Sequence, residues 1–114
     1  MLYFPDHAEE TLDFREFIGH GDANYSKYML EIPFLIFVSD KLKNSNPNLI
    51  KNIKNSLNNP YMTDDVIHTI LDILNINTPD FDKTRSIINP NFNKNRKRIL
   101  IDGKNYDSDL KNNL

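Results

Sequence analysis

The chain has 114 residues, a net charge of -2 and a pI near 5.9, with 39% hydrophobic and 11% aromatic residues. That is one domain at most, with a core of modest size and no whole-molecule basic field to draw nucleic acid. Cysteine is absent, which excludes disulfides, thiolate metal sites and cysteine nucleophiles, so any metal must be held by His and carboxylate. No stretch approaches the roughly 18 apolar residues of a bilayer span, and residues 1–15 carry Asp, Glu and His where a signal peptide needs an apolar run.

In chain order, Leu2-Tyr3-Phe4 is a short apolar strand stopped by Pro5, and residues 9–18 suggest a short helix around Leu12, Phe14, Phe17 and Ile18. Gly19-His20-Gly21-Asp22 reads as a loop. Residues 32–38 are continuously apolar and rich in strand formers, the pattern of a parallel strand covered on both faces, with Pro33 admitted only at its start and Ser39 and Asp40 ending it. Leu49, Ile50, Ile53 and Leu57 predict a one-face helix over 47–57. Thr63 as cap, Asp64 and Asp65 in the first turn, and Val66, Ile67, Ile70, Leu71, Ile73 and Leu74 predict a second helix over 63–74. After Ile76 the chain is irregular, with a short strand at Ile99 to Ile101 before the Asp102-Gly103 turn and a frayed tail over 103–114.

Asp6 and His7 directly follow the first strand, and a carboxylate and an imidazole from adjacent residues both reach one zinc at about 2 Å. On its own the pair reads first as an exposed loop pair and second as metal ligands. His20, between Gly19 and Gly21, is open to the same two readings. Asp64, Asp65 and His68 read as a capped helix start with a polar contact at i to i+3 or i+4. The run from Lys94 to Arg98 reads as a solvated charge run ahead of a contact for nucleic acid or lipid phosphates, and Arg85 as the partner of a structural carboxylate.

Taken in order, five groups of residues resemble the C-terminal third of the bacterial phosphoethanolamine transferases, in the sulfatase and alkaline-phosphatase superfamily. They are Tyr3-Phe4-Pro5-Asp6-His7-Ala8-Glu9-Glu10, Gly19-His20-Gly21, Glu31-Ile32-Pro33-Phe34, Pro60-Tyr61-Met62-Thr63-Asp64-Asp65 with His68-Thr69, and Arg85-Ser86 with Asn89-Pro90. The resemblance covers most of the chain. Ala8 departs from it, since many members carry glycine there.

The resemblance implies an α/β fold, namely the C-terminal fragment of a sulfatase-like mixed or mostly parallel sheet flanked by helices, with residues 1–114 as one partial domain. It places Asp6 and His7 as two ligands of a catalytic zinc, and His20 beside the transferred phosphoryl group, where it would donate to phosphate or hold a second zinc. The nucleophile and the completing glutamate ligand would lie upstream, as would the membrane-embedded region, so the chain alone is expected to be inactive. The complete enzyme would move phosphoethanolamine from phosphatidylethanolamine to lipid A, a core sugar or another envelope glycan on the periplasmic face of the inner membrane. A sulfatase or phosphoglycerol transferase of the same superfamily is the nearest alternative. A non-catalytic α/β binding or assembly module is another. Exposed strand edges imply self-association.

Overall fold

The computed structural model describes residues 1–21 and 25–111. Asp22, from the expected loop, and residues 112–114 lie outside the described residues. The chain is of the mixed α/β class expected, and its contacts divide into two compact units, one of residues 1–37 with 97–114 and one of residues 38–96.

In the first unit, strand β1 (Leu2–Tyr3) pairs antiparallel with β4 (Leu35–Ile36), Leu2 opposite Ile36 and Tyr3 opposite Leu35. The apolar run 32–38 therefore does not form the covered parallel strand its composition suggests. Only two of its residues enter the ladder, and Leu35 and Phe37 stay exposed. Phe4 packs on Phe34 with ring centroids 5.6 Å apart. Helix α1 (Lys27–Leu30) follows Ser26 and buries Met29, whose carbonyl accepts from Ala8 N at 3.3 Å.

The stretch 9–18 is a β-hairpin and not a helix. Strands β2 (Glu10–Thr11) and β3 (Ile18–Gly19) pair antiparallel, Glu10 opposite Gly19 and Thr11 opposite Ile18. The turn explains the reversal: Thr11 N donates to Asp13 Oδ2 at 2.8 Å, Leu12 takes a left-handed φ of 66°, and Leu12 N donates to Phe17 O at 3.0 Å. Short polar side chains that bond nearby backbone favour turns over helix.

Near the C-terminus, the expected strand at 99–101 is reduced to a single bridge between Ile99 and Asn105 around the turn at Asp102 and Gly103. Residues 106–110, inside the stretch expected to fray, form a π-helical turn whose first residue, Tyr106, is buried. Asn105 Oδ1 caps it by accepting from Asp107 N at 3.1 Å, Arg98 pairs with Asp107, and the Tyr106 hydroxyl donates to Glu31.

The second unit is helical. Ser39 does not close a strand but caps α2 (Asp40–Ser45), accepting from Leu42 N at 3.2 Å. Asn46 caps α3 (Pro47–Asn55) in the same way at 3.1 Å, with Pro47 at its first position, where no N–H is needed. Leu57, expected on this helix, lies beyond it and is exposed. The second expected helix opens with a 3₁₀ turn (Thr63–Asp65) that runs into α4 (Val66–Ile73), and Thr63 makes no side-chain cap. Its buried residues are Val66, His68 and Thr69, while Ile67 and Leu74 of the expected apolar face are exposed. They pack in a core with Ser86, Ile87, Ile88 and Phe92.

Polar atoms in that core are matched. Thr69 Oγ1 meets the Tyr61 hydroxyl at 2.6 Å and accepts from Ile87 N at 3.1 Å, and Asp72 Oδ2 accepts from Ser86 at 2.6 Å and Asn89 at 3.0 Å. Buried Asp65 is bound by Arg85 and by Arg96, the latter at 2.9 Å, and Asp64 pairs with the same two arginines. Arg85 thus finds its carboxylate partner. His68 does not pair with Asp64 or Asp65: its Nδ1 accepts from Asp82 N at 3.1 Å, a scaffold role in another bond.

Candidate functional site

The hairpin register builds the site. One step beyond the pair of Glu10 with Gly19, Glu9 comes opposite His20, and His7 lies two residues before Glu9 on the same side of an extended chain. The adjacent glutamates therefore point to opposite faces. Glu10 is fully buried, where Arg15 donates to it at 2.7 and 3.2 Å and Ser26 at 2.6 Å. Chiefly through the Arg15 hydrogen bond, its carboxyl is held below the ordinary value. The Arg15 guanidinium in turn lies 5.2 Å from the Phe14 ring and 5.0 Å from the Phe17 ring, which braces the turn.

On the outer face, His7, Glu9 and His20 offer ligand atoms that all lie within 4.8 Å of one another. The two imidazoles lie against each other, tilted by 37° with centroids 3.9 Å apart. His20 Nδ1 donates to Glu9 Oε1 at 2.6 Å, and the same oxygen lies 3.7 Å from His7 Nδ1. His7 Nδ1 also donates to Ala8 O at 3.2 Å. Gly19, at φ +126°, supplies the left-handed backbone that turns the chain into His20, and a Cβ there would meet Glu9 Oε2 at 3.7 Å.

Asp6 stands beside this group. Its side chain is 90% exposed, its Oδ1 accepts from His7 N at 3.1 Å, and its Oδ2 lies 3.8 Å from His7 Nε2. Of the residues picked from the sequence, His7 and His20 are thus brought together, Asp6 borders them, and Glu9 is an addition. Glu9 was hidden by the helical reading of 9–18. In an extended chain, its spacing of two from His7 is the signal that finds it.

Imidazole and carboxylate together are a donor set suited to zinc. Ligands of one tetrahedral zinc sit roughly 3.3–3.6 Å apart. The separation of 3.8 Å between His7 Nε2 and Asp6 Oδ2 is close to that spacing, so Asp6 and His7 fit the ion.

No protein-family profile matches the chain. It is 30% identical over 112 residues to the phosphoethanolamine transferase EptC of Escherichia coli (strain K12), and to the same extent to the phosphoethanolamine transferase CptA of Salmonella typhimurium. Each match covers 90% of this chain and 19% of the relative, so the chain spans about a fifth of their length. The crystal structure of the C-terminal periplasmic domain of EptC from E. coli superposes with a TM-score of 0.78 at 30% identity, covering 94% of this chain and 31% of that one. Fold and sequence together define a segment similar to the C-terminal periplasmic domain of that enzyme. The chain corresponds to the C-terminal part of a bacterial phosphoethanolamine transferase.

Proposed function

We propose that the chain is the part of a zinc-dependent phosphoethanolamine transferase that supplies Asp6 and His7 to the metal and His20 to the phosphoryl group. The observation that carries this reading is the juxtaposition of His7 and His20 by the hairpin register, in a chain 30% identical to named phosphoethanolamine transferases. When bound, zinc would lower the pKa of a hydroxyl nucleophile and polarise the phosphoryl oxygens. The nucleophile belongs to the rest of the enzyme.

This chain's own residues do three things in that reaction. Asp6 and His7 offer an anionic oxygen and a neutral nitrogen from adjacent positions. His20, on the opposing strand end, donates a proton or a hydrogen bond to a phosphate oxygen or to the leaving group. Glu10, with Arg15 and Ser26, holds the hairpin so that these groups keep their spacing. The donor would be phosphatidylethanolamine and the acceptor lipid A, a core sugar or another envelope glycan, at the periplasmic face of the inner membrane. No helix among the described residues is long and apolar enough to cross a membrane, so attachment falls to another region of the enzyme.

Replacing the matching fifth of the E. coli enzyme with this chain tests the reading. Transfer of phosphoethanolamine by the chimera, lost in its His7→Ala and His20→Ala forms, is the expected result. A folded, zinc-loaded chimera that transfers nothing would refute it.

A further inference from the structure

We infer that Glu9 is a positioning residue that fixes the ring and tautomer of His20, and is not itself a ligand of the metal. The inference rests on the proposed site only for its consequence; its geometry stands in the metal-free chain.

The distance decides the role. His20 Nδ1 and Glu9 Oε1 are 2.6 Å apart, well under the roughly 3.3 Å that separates two ligands of one tetrahedral zinc. A proton fits between them and a metal does not. A carboxylate only accepts, so His20 Nδ1 carries the hydrogen, and its Nε2 is left with the lone pair. His7 repeats the pattern with a different acceptor, its Nδ1 donating to Ala8 O at 3.2 Å. Both imidazoles therefore have Nδ1 engaged, with Nε2 open to a metal or, once protonated, free to donate to a phosphoryl oxygen. The same Glu9 oxygen, 3.7 Å from His7 Nδ1, adds negative charge beside both rings and strengthens them as donors to a cation.

The backbone supports the assignment to Glu9 and not to its neighbour. Hairpin parity turns Glu10 inward to Arg15 and Ser26 and leaves Glu9 alone of the pair on the outer face, opposite His20. Gly19, at φ +126°, gives the left-handed turn that carries His20 to that carboxylate.

Side-chain ¹⁵N NMR of the histidines in the metal-free 114-residue chain, at about pH 9 where imidazole is neutral, tests the inference. His20 is expected as the Nδ1–H tautomer in the wild type and in Glu9→Gln, which keeps an acceptor oxygen. In Glu9→Ala it is expected to revert to the Nε2–H form, with His68 unchanged as the internal reference for folding. An Nε2–H His20 in the wild type, or an Nδ1–H His20 persisting in Glu9→Ala, overturns the inference. Zinc titration of the same proteins adds a second readout, with a loss of about 10- to 100-fold in affinity expected for Glu9→Ala and a smaller one for Glu9→Gln. If Glu9→Gln loses as much zinc affinity as His7→Ala while its His20 tautomer is kept, Glu9 is a ligand and the inference fails. If the wild type binds no zinc, the metal reading of the site fails and the tautomer result alone decides the role of Glu9.

Discussion

Arg15 clamps Glu10 through two parallel hydrogen bonds, Nε to Oε1 at 2.7 Å and Nη2 to Oε2 at 3.2 Å, across the turn of the hairpin that sets His20 opposite Glu9. A buried carboxylate so held stabilises the fold only while it is ionised. Its folded-state value is depressed, so its contribution is fully present above the unfolded value near 4.5 and is lost as pH falls through the lower folded value. Urea denaturation of wild type and Glu10→Gln is expected to show a wide stability gap at about pH 7 that narrows at about pH 3. A gap of constant size would mean that the charge of Glu10 has no part in it.

Neighbouring aspartates separate in the second unit. Asp65 is buried between Arg85 and Arg96, whereas the Asp64 side chain is 46% exposed although it touches both. Removing one partner of a buried pair strands the remaining charge, so Asp65→Ala should cost about 3–5 kcal/mol and Asp64→Ala no more than about 1 kcal/mol. Chemical denaturation at neutral pH measures both. Equal losses would contradict the division of roles.

Thr69→Val keeps the shape of a fully buried side chain and removes the acceptor of Ile87 N and the partner of the Tyr61 hydroxyl. The loss expected from leaving those groups unmatched is about 1–3 kcal/mol. Burial first of all pushes the Tyr61 hydroxyl up to about 12. Spectrophotometric titration should therefore find Tyr61 ionising late, together with Tyr25 and Tyr106, and later still in Thr69→Val, because the Thr69 hydrogen bond lowers the Tyr61 value and the isosteric variant keeps the burial that raises it.

Much of the second unit is legible in the sequence because local signals agree there. Pro47 starts α3, Leu49, Ile50 and Ile53 give its period, and α4 needs only a shift of its first residues into a 3₁₀ turn. Legibility fails where tertiary partners reverse a local signal. Ser39 and Asp40 look like a strand's end but cap α2, because a Ser side chain serves either and the chain after it decides. Glu9, Glu10, Arg15 and Glu16 mimic the charged face of a helix, yet the hairpin buries Glu10 against Arg15 and Ser26, which no periodicity announces. His68 and Thr69 occupy the inner face of α4 in place of Ile67 because each has a polar partner waiting, Asp82 N for one and Ile87 N for the other. The nearness of His7 and His20 follows from the resemblance alone at the sequence level. Glu9 needs the register.

Tyr3, Leu35, Phe37 and Ile18 leave apolar side chains open on the first unit's strands. Light scattering across concentrations should show self-association of the isolated chain, reduced by Phe37→Lys, through burial of that surface. A clean monomer at all concentrations would speak against it.

Asp6 and His7, set beside His20 by the hairpin, are the residues proposed to hold zinc. Calorimetric titration with zinc of the wild-type chain and of the Asp6→Ala, His7→Ala double variant tests this most directly. Weak single-site binding by the wild type, lost in the double variant, is the predicted result, and an affinity left unchanged by the two substitutions would contradict the account.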